Sequence, residues 1–291
     1  MKKIAIVVLH YETIEDTQKC LDSLQKYLND ECVQVVVVDN GSVKGKLDTL
    51  ENSYKHPQIH FLYTGSNLGF ARGNNVGYRY AKYQLGADMI VLANSDLVFE
   101  QEEFLQGLRA HYEKTNFDVA GPKIISLQDG KNQNPVKVQY GGKQDVLKRL
   151  IKYDILYLTS IFGLDTLLKS RFAKAIDEFE PKAGEDYQLH GACLILANDY
   201  IARYDGLYDE TFMYGEENIL KYITRHTHLK MCYFSDIFVY HKEGSSTQAI
   251  WGKGKAGRQF YYKWNIDSCR ILLRLMHDDC LLEKHMKSLE N

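Results

Sequence analysis

The feature that most constrains this chain is a rhythm in its first hundred residues. Short, nearly continuous apolar runs at 4–9, 33–38, 59–63 and 89–93 alternate with stretches of helical periodicity around 13–27 and 73–84. Cys20, Leu21, Leu24 and Leu28 recur at helical spacing in the first of these stretches. Unbroken apolar runs suit strands covered on both faces by helices, and their alternation with helices is the pattern of βαβ units. The expected fold class is therefore α/β, a mixed, mostly parallel sheet flanked by helices. Beyond Gly121-Pro122 the pattern loosens, and residues 129–142, rich in Gly, Asn, Gln and Pro, read as a loop or hairpin. Strands are expected again at 191–197 and 237–240, with one or two amphipathic helices from Arg258 onward.

Composition removes several classes of function. A chain of 291 residues can bury roughly three quarters of its surface without covalent staples. Lys and Arg (36) nearly balance Asp and Glu (38), so a dedicated nucleic-acid binder is not expected and any basic surface must be local. The 6 cysteines form no C-x-x-C pair and no zinc-ligand spacing, which argues for a reducing compartment and neither disulfide framework nor metal cluster. The run from Ile4 to Leu9 ends at His10 without a cleavage site, so it reads as a first strand and not a signal peptide. No window approaches 18 uninterrupted apolar residues, and the expected location is cytoplasmic.

The chemistry-bearing residues follow strand ends. The second apolar run ends in Asp39-Asn40-Gly41-Ser42, the fourth in Asn94-Ser95-Asp96, and His10 follows the first. In open α/β sheets ligands bind in the crevice beyond the carboxyl ends of the strands, where these caps converge. Asn67-Leu68-Gly69-Phe70-Ala71-Arg72-Gly73-Asn74-Asn75 comes after the third strand and opens a helix. Unpaired N–H groups at a helix N-terminus, two glycines and the forked Arg72 donor suit a diphosphate. No G-x-G-x-x-G follows the first strand, which disfavours a nicotinamide or flavin enzyme. Asp96 is a hard ligand for Mg²⁺ or Mn²⁺, which takes one or two protein carboxylates and fills its shell with diphosphate oxygens and water. Blander readings stay open: an Asx turn at Asp39, a helix cap at Asp96 before a helix at 99–110, and a first-turn acidic pair at Glu216-Glu217.

The ordered set formed by these motifs with His190-Gly191-Ala192, the stretch from Asp205 through Asp209 to Glu216-Glu217, and His241-Lys242-Glu243-Gly244-Ser245-Ser246 resembles the GT-A family 2 glycosyltransferases. The resemblance spans residues 3–250 and is strongest to rhamnosyltransferase-like and capsular-polysaccharide members. It implies a GT-A, Rossmann-like domain over 1–250. A nucleotide-binding half (1–120) is followed by an acceptor and catalytic half (121–250) with an inserted basic-aromatic segment at 143–176, and then by a C-terminal helical extension at 251–291.

By the same resemblance, Asp39 recognises a pyrimidine base and the segment from Asn67 through Gly69 and Arg72 to Asn74 lies along the nucleotide, with His10, Asn94 and Ser95 beside it. Asp96 binds the metal, and His241 completes the metal or diphosphate site. His190, Gly191 and Asp209 are expected to line the donor or acceptor sugar pocket. Glu216-Glu217 stands where the family has Glu-Asp, whose second acid is the catalytic base, so Glu217 is the expected base with Glu216 as the alternative. The family's first metal-motif acid is Asn94 here, an amide that can hydrogen-bond but brings no charge to a metal.

The implied activity is inverting transfer of a sugar from a UDP- or dTDP-sugar, such as dTDP-rhamnose, to a saccharide acceptor, lipid-linked, in bacterial surface-polysaccharide synthesis. Segment 253–274 carries six Lys or Arg against Asp267, mixed with Phe260, Tyr261, Tyr262 and Trp264 and preceded by Trp251, a composition suited to the anionic inner face of a membrane. The alternative for it is a helix packed on the core with a solvated basic face. Tyr153, Tyr157, Tyr261 and Tyr262 equally suit a homodimer. Two rival functions are a noncatalytic sugar-nucleotide-binding module and a sugar-1-phosphate nucleotidyltransferase. The latter wants a Gly-rich basic loop after the first strand, where this chain has His10-Tyr11-Glu12-Thr13.

Overall fold

The structure is a computed structural model that describes residues 2–43, 47–138, 142–172, 179–181, 186–243 and 254–287. In chain order the main elements are β1 (Ile4–His10), α1 (Ile14–Leu24), β2 (Val33–Asp39), α2 (Asp48–Ser53), β3 (Ile59–Tyr63), α3 (Phe70–Arg79), β4 (Met89–Asn94), β5 (Leu97–Val98), α4 (Phe104–Thr115) and β6 (Val119–Ser126). There follow β7 (Val136–Lys137), α5 (Lys143–Ile161), α6 (Asp165–Phe172), β8 (Tyr187–Gln188), β9 (Cys193–Ala197), α7 (Asn198–Arg203), α8 (Glu216–His226), β10 (Met231–His241), α9 (Lys255–Leu275) and α10 (Asp279–Lys287).

Eight strands form one sheet in the order β3-β2-β1-β4-β9-β6-β10-β5. β1, β2, β3 and β4 are mutually parallel, β9 runs antiparallel between β4 and β6, and β10 is parallel to β6. Successive strand residues point to opposite faces, so each apolar run feeds two cores. Ile4, Ile6 and Val8 pack with Cys20, Leu21 and Leu24 of α1 and with Leu105 and Leu108 of α4. Ala5 and Val7 pack on the other face with Ala71, Tyr78, Ile219 and Leu272. That double burial is the physical reason the strands read as continuous and not alternating.

Three expectations change. The loosened stretch after Gly121-Pro122 is in fact β6, a strand between β9 and β10; its Pro122 and Lys123 interrupt the apolar run that would have announced it. Asp96 caps no helix: β5 intervenes, and α4 starts at Phe104, later than the expected 99. The loop or hairpin at 129–142 contains β7, which pairs with β8; residues 139–141 lie outside the described residues.

The basic segment at 143–174 forms α5 and α6, with residues 173–176 outside the described residues. α5 packs on α9 through Tyr153, Leu156, Tyr262 and Ile266. Fully buried Asp165 of α6 accepts hydrogen bonds from Arg258 Nε (2.6 Å) and the Tyr262 hydroxyl (3.0 Å), which ties α6 to α9. The aromatics of α9 turn inward, with Tyr262 buried and Trp264 stacked on Phe212 at 4.5 Å between ring centroids. The packed-helix alternative therefore describes the described part of segment 253–274, whereas Trp251 and Lys253 lie outside the described residues.

Candidate active site

The first wall of the site is built by strand ends in register. His10 pairs with Asp39 across β1 and β2, and Leu9 pairs with Asn94 across β1 and β4, so the polar residues that end three strands emerge side by side. His10 is buried, its Nδ1 2.6 Å from Thr17 Oγ1. The buried Asp39 carboxylate accepts the Ser42 N–H at 2.8 Å, an Asx turn that orients the chain after β2. Ser42 Oγ in turn accepts the Glu12 N–H at 2.9 Å.

Asn40 joins this wall to the next loop. Its Nδ2 donates to Asn67 Oδ1 (3.2 Å) and to the Gly69 carbonyl (3.1 Å), and its Oδ1 accepts the Leu68 N–H (3.0 Å). Asn67 Oδ1 also accepts the Gly69 N–H at 2.9 Å. Gly69 has φ +85°, and a Cβ there would lie 2.3 Å from the Phe212 carbonyl oxygen, so both conformation and space exclude a side chain. The Phe70 N–H donates to that same carbonyl at 2.8 Å. One turn along α3, Arg72 is exposed and donates Nε to the Asp209 carbonyl at 2.8 Å. Asn74 faces inward: its Nδ2 donates to the Phe70 carbonyl at 3.0 Å, while its buried Oδ1 has no partner. Asn75 exchanges two hydrogen bonds with the Leu207 backbone, of 2.8 and 2.7 Å. The stretch from Asp205 to Phe212 is thus pinned along α3.

At the second wall, β10 runs antiparallel to β5, with His241 opposite Leu97, and this register carries His241 to Asp96. Asp96 Oδ1 and His241 Nε2 are 3.3 Å apart, and both side chains are buried. His241 Nδ1 lies 2.8 Å from Gln133 Oε1, which orients the ring with Nε2 toward the Asp96 carboxylate, where this nitrogen can either donate to the carboxylate or offer a lone pair to a metal. Asp96 and His241 therefore fit a hard divalent ion that completes its shell with diphosphate and water. Among the described residues no group of three or more His, Cys, Asp or Glu converges to hold a metal unaided. Asn94 and Ser95 precede this pair, with the Asn94 N–H donating to the Ala192 carbonyl at 2.9 Å. Lys242 Nζ is 2.6 Å from buried Asp16, whose carboxylate raises its pKa. Gly244, Ser245 and Ser246 lie outside the described residues.

The third wall is the start of α8. Glu216 is buried and accepts the Thr211 hydroxyl at 3.0 Å; burial foremost, then the Glu217 charge, push its carboxyl well above the usual range. Glu217 is half-buried, and burial raises it too, opposed by the backbone N–H groups of Glu217 and Gly191 and by the Arg149 charge. The acidic pair therefore does occupy the first turn of a helix, where the dipole favours it, but with both carboxyls held toward their protonated forms.

Residues 190–192 join the second and third walls. A Cβ on Gly191 would lie 2.6 Å from Glu217 Oε1, and the Ala192 carbonyl holds Asn94. The His190 ring sits edge-to-face with His241 at 5.8 Å. Burial, with the neighbouring His241, lowers His190 to about 4, so this ring stays neutral. The structure thus brings Glu217, Gly191, His190, His241, Asp96 and Asn94 into one continuous cluster, and it ties Gly69 and Arg72 to the loop that ends at Glu216, with Asn67 joined to Gly69 and to Asn40, and His10 and Asp39 on the neighbouring strand ends. Asp209 offers its carbonyl to Arg72 and its carboxylate to Arg79 at 3.7 Å.

Four supporting residues were not among the candidates that the motifs supplied. Gln133 holds His241, Asn134 Oδ1 accepts the His190 N–H (2.9 Å), Thr211 holds Glu216, and Arg149 stands near Glu217 while donating to Asn265 Oδ1 (2.7 Å). Gln133 and Asn134 sit in a stretch whose composition signals only loop. Arg149 looks like one more cation of a basic helix. Thr211 alone lies inside a recognised motif.

Comparison with known proteins places these residues in context. Residues 5–166 match the family described as glycosyl transferase family 2. The low-salt glycan biosynthesis hexosyltransferase Agl10 of Haloferax volcanii is 24% identical over 74% of this chain and 59% of its own length. The uncharacterized glycosyltransferase YfnE of Bacillus subtilis is 28% identical over 74% of this chain and 58% of its own length. The dTDP-rhamnosyl transferase RfbF of Shigella flexneri is 31% identical over 40% of this chain and 38% of its own length. The chain therefore spans less than two thirds of the length of these curated relatives.

Among solved structures, S. aureus TarS 1–349 in complex with UDP-GlcNAc superposes with a TM-score of 0.51 at 15% identity, over 83% of this chain and 59% of that one. The mannosyltransferase PcManGT from Pyrobaculum calidifontis, in complex with GDP-Man and Mn²⁺, gives 0.52 at 12% identity, over 93% and 73%. At these identities the likeness concerns the fold, which is GT-A.

Proposed function

This chain belongs to glycosyl transferase family 2, and from that premise we propose that it is an inverting glycosyltransferase. It moves a sugar from a UDP- or dTDP-sugar, dTDP-rhamnose among them, to a saccharide acceptor in the synthesis of a cell-surface or capsular polysaccharide. The observation that supports this best is the continuity from Glu217 through Gly191 and His190 to His241 and Asp96, because transfer needs a base for the acceptor and a charged clamp for the leaving group within one crevice.

In this reading Asp39, with His10 beside it, receives the pyrimidine base, and the Asn67–Gly69 loop and Asn94-Ser95 lie along the nucleotide. Asn74 supports that loop from inside α3. Arg72 keeps its terminal Nη nitrogens for phosphate while its Nε is held by the Asp209 carbonyl. Glu217 takes the proton from the acceptor hydroxyl as that oxygen attacks the anomeric carbon. The bond from that carbon to the diphosphate oxygen breaks on the opposite face, and the nucleoside diphosphate leaves with the electron pair. Burial suits Glu217 to the task, since a base whose pKa is raised toward neutrality accepts a proton more readily. Glu216, tied to Thr211 inside the protein, positions the turn. Mg²⁺ or Mn²⁺ held by Asp96 and His241 would supply counter-charge to the departing diphosphate.

We assign nucleotide binding to 1–120 and acceptor binding and the base to 121–250, with the segment 143–176 inserted there and 251–291 as a helical extension. No described helix is long and apolar enough to cross a membrane. The acceptor is proposed to be lipid-linked, with the protein resting on the inner face of the plasma membrane, as a monomer or a homodimer.

A thermal-shift screen of UDP, dTDP and their sugars, with and without Mn²⁺, followed by transfer assays on Glu217→Gln, tests the reading. Glu217→Gln is expected to keep nucleotide-dependent stabilisation and to lose about 10²–10⁴-fold in transfer. Unchanged transfer would remove Glu217 as the base, and nucleotide binding by the wild type with no transfer or donor hydrolysis would identify a noncatalytic module.

A further inference from the structure

One face of α5 is covered and the other is bare. Toward the body of the protein, Tyr153 and Leu156 are buried against α9. On the far side, Leu147, Ile151, Ile155, Leu158 and Phe162 follow at intervals of four, four, three and four residues, the spacing of a single helix face. Their exposures run from 43% at Ile155 to 78% at Phe162, and Leu164 in the next turn is 51% exposed. Isolated exposed apolar residues are ordinary, but five in one row on adjoining turns, with Leu164 just beyond, are not.

The charges around this row point to its occupant. Besides Arg149, which turns to the inner face, α5 carries Lys143, Lys148 and Lys152 against Asp145 and Asp154, and Lys255 donates Nζ to the Ile161 carbonyl at its far end. Segment 143–174 has a net charge of +4 within a chain whose net charge is -2. A second copy docked symmetrically would bring the same cationic flank against itself. An anionic lipid surface accepts both the apolar row and its basic border.

We propose that the outer face of α5, continued into the turn before α6, docks on the headgroup layer of an anionic membrane. The contact deepens the membrane-acting reading above and rests on it. It also differs in place from the C-terminal segment that composition singled out, whose aromatics are turned inward. The inner face of the same helix carries Arg149 toward Glu217, so docking by the outer face would present the acceptor side of the site to lipid-linked saccharide.

The test is co-sedimentation of the whole chain with phosphatidylcholine vesicles and with vesicles one third phosphatidylglycerol, at low and high salt. Donor hydrolysis is measured on the same preparations. The wild type is expected to bind the anionic vesicles in a salt-sensitive manner. The double variant Ile151→Glu, Leu158→Glu and the double variant Lys148→Glu, Lys152→Glu are each expected to bind at least tenfold less, with unchanged melting and donor hydrolysis. Absence of wild-type binding, binding indifferent to both variants, or a dimer in velocity sedimentation that Ile151→Glu, Leu158→Glu disperses would each overturn the proposal. Failure of every preparation to bind or hydrolyse a sugar nucleotide would instead defeat the glycosyltransferase reading and leave the vesicle result standing.

Discussion

Gly191 leaves room for Glu217: an added Cβ would lie 2.6 Å from Glu217 Oε1, 3.1 Å from its Cδ and 3.2 Å from its Cγ. The obstacle is the far end of a flexible side chain, so Gly191→Ala should fold and displace the carboxylate. We expect kcat to fall roughly 10²-fold, since misplacing a reacting group by about 1 Å has that effect, while stability changes by less than about 1 kcal/mol. Parallel turnover and melting measurements check this; wild-type kcat in Gly191→Ala would show that the carboxylate position is immaterial.

The two raised carboxyls give a pH signature. A base works only when deprotonated, so the acid limb of the transfer rate should lie at higher pH than an ordinary carboxylate would place it. For stability the sign is the opposite of a salt-bridged acid. Glu216 is held toward its protonated form, so its contribution is complete below the normal carboxylate range and is lost as pH rises through the raised value. Glu216→Gln keeps an acceptor for Thr211 and removes the ionisation. Its melting temperature relative to wild type should climb from about pH 5 to about pH 8 and level off above, and a flat difference would rule the burial argument out.

Gly69 and Gly65 separate backbone strain from crowding. Both have positive φ, +85° and +74°, but a Cβ on Gly65 meets nothing within 4 Å whereas one on Gly69 strikes the Phe212 backbone. Gly65→Ala should cost about 1–2 kcal/mol from its left-handed conformation alone. Gly69→Ala adds overpacking against main chain, for roughly 2–5 kcal/mol in all, and should loosen the join between α3 and the loop ending at Glu216. Denaturant unfolding of the two variants measures the difference, which should be of the order of the overpacking contribution.

Gln133 orients His241 without belonging to any motif. Removing the partner of a ligand imidazole typically weakens a metal about 10–100-fold, so Gln133→Ala should weaken Mn²⁺ binding by that factor in calorimetric titrations with UDP present. Binding of UDP without metal should be unaffected. Equal Mn²⁺ affinity in variant and wild type would remove His241 from the metal site.

How much of this was legible beforehand follows from burial. The expected strands at 4–9, 33–38, 59–63 and 89–93 match β1 to β4 within one residue, because β1, β2 and β4 are buried on both faces and must be nearly all apolar, while edge strand β3 is part-buried and still carries Ile59, Phe61 and Leu62 inward. β6 escaped notice because Pro122 and Lys123 break its run, and its place in the sheet is settled by pairing with β9 and β10 from far along the chain. The basic segment at 143–174 had the composition of an excursion; packing alone decided that Tyr153 and Leu156 face α9 while Leu147, Ile151, Ile155, Leu158 and Phe162 face outward.

The amino-acid order by itself determined the α/β class, the polar strand ends and the family, since these rest on local periodicity and short contiguous motifs. Tertiary structure decided which of those motifs meet. Asp96 and His241 lie 145 positions apart and are joined by a two-residue antiparallel pairing, and Glu217 is seated by the missing side chain of Gly191. Such meetings depend on strand register and on the volume of single side chains in a dense interior, and neither quantity is expressed in local sequence.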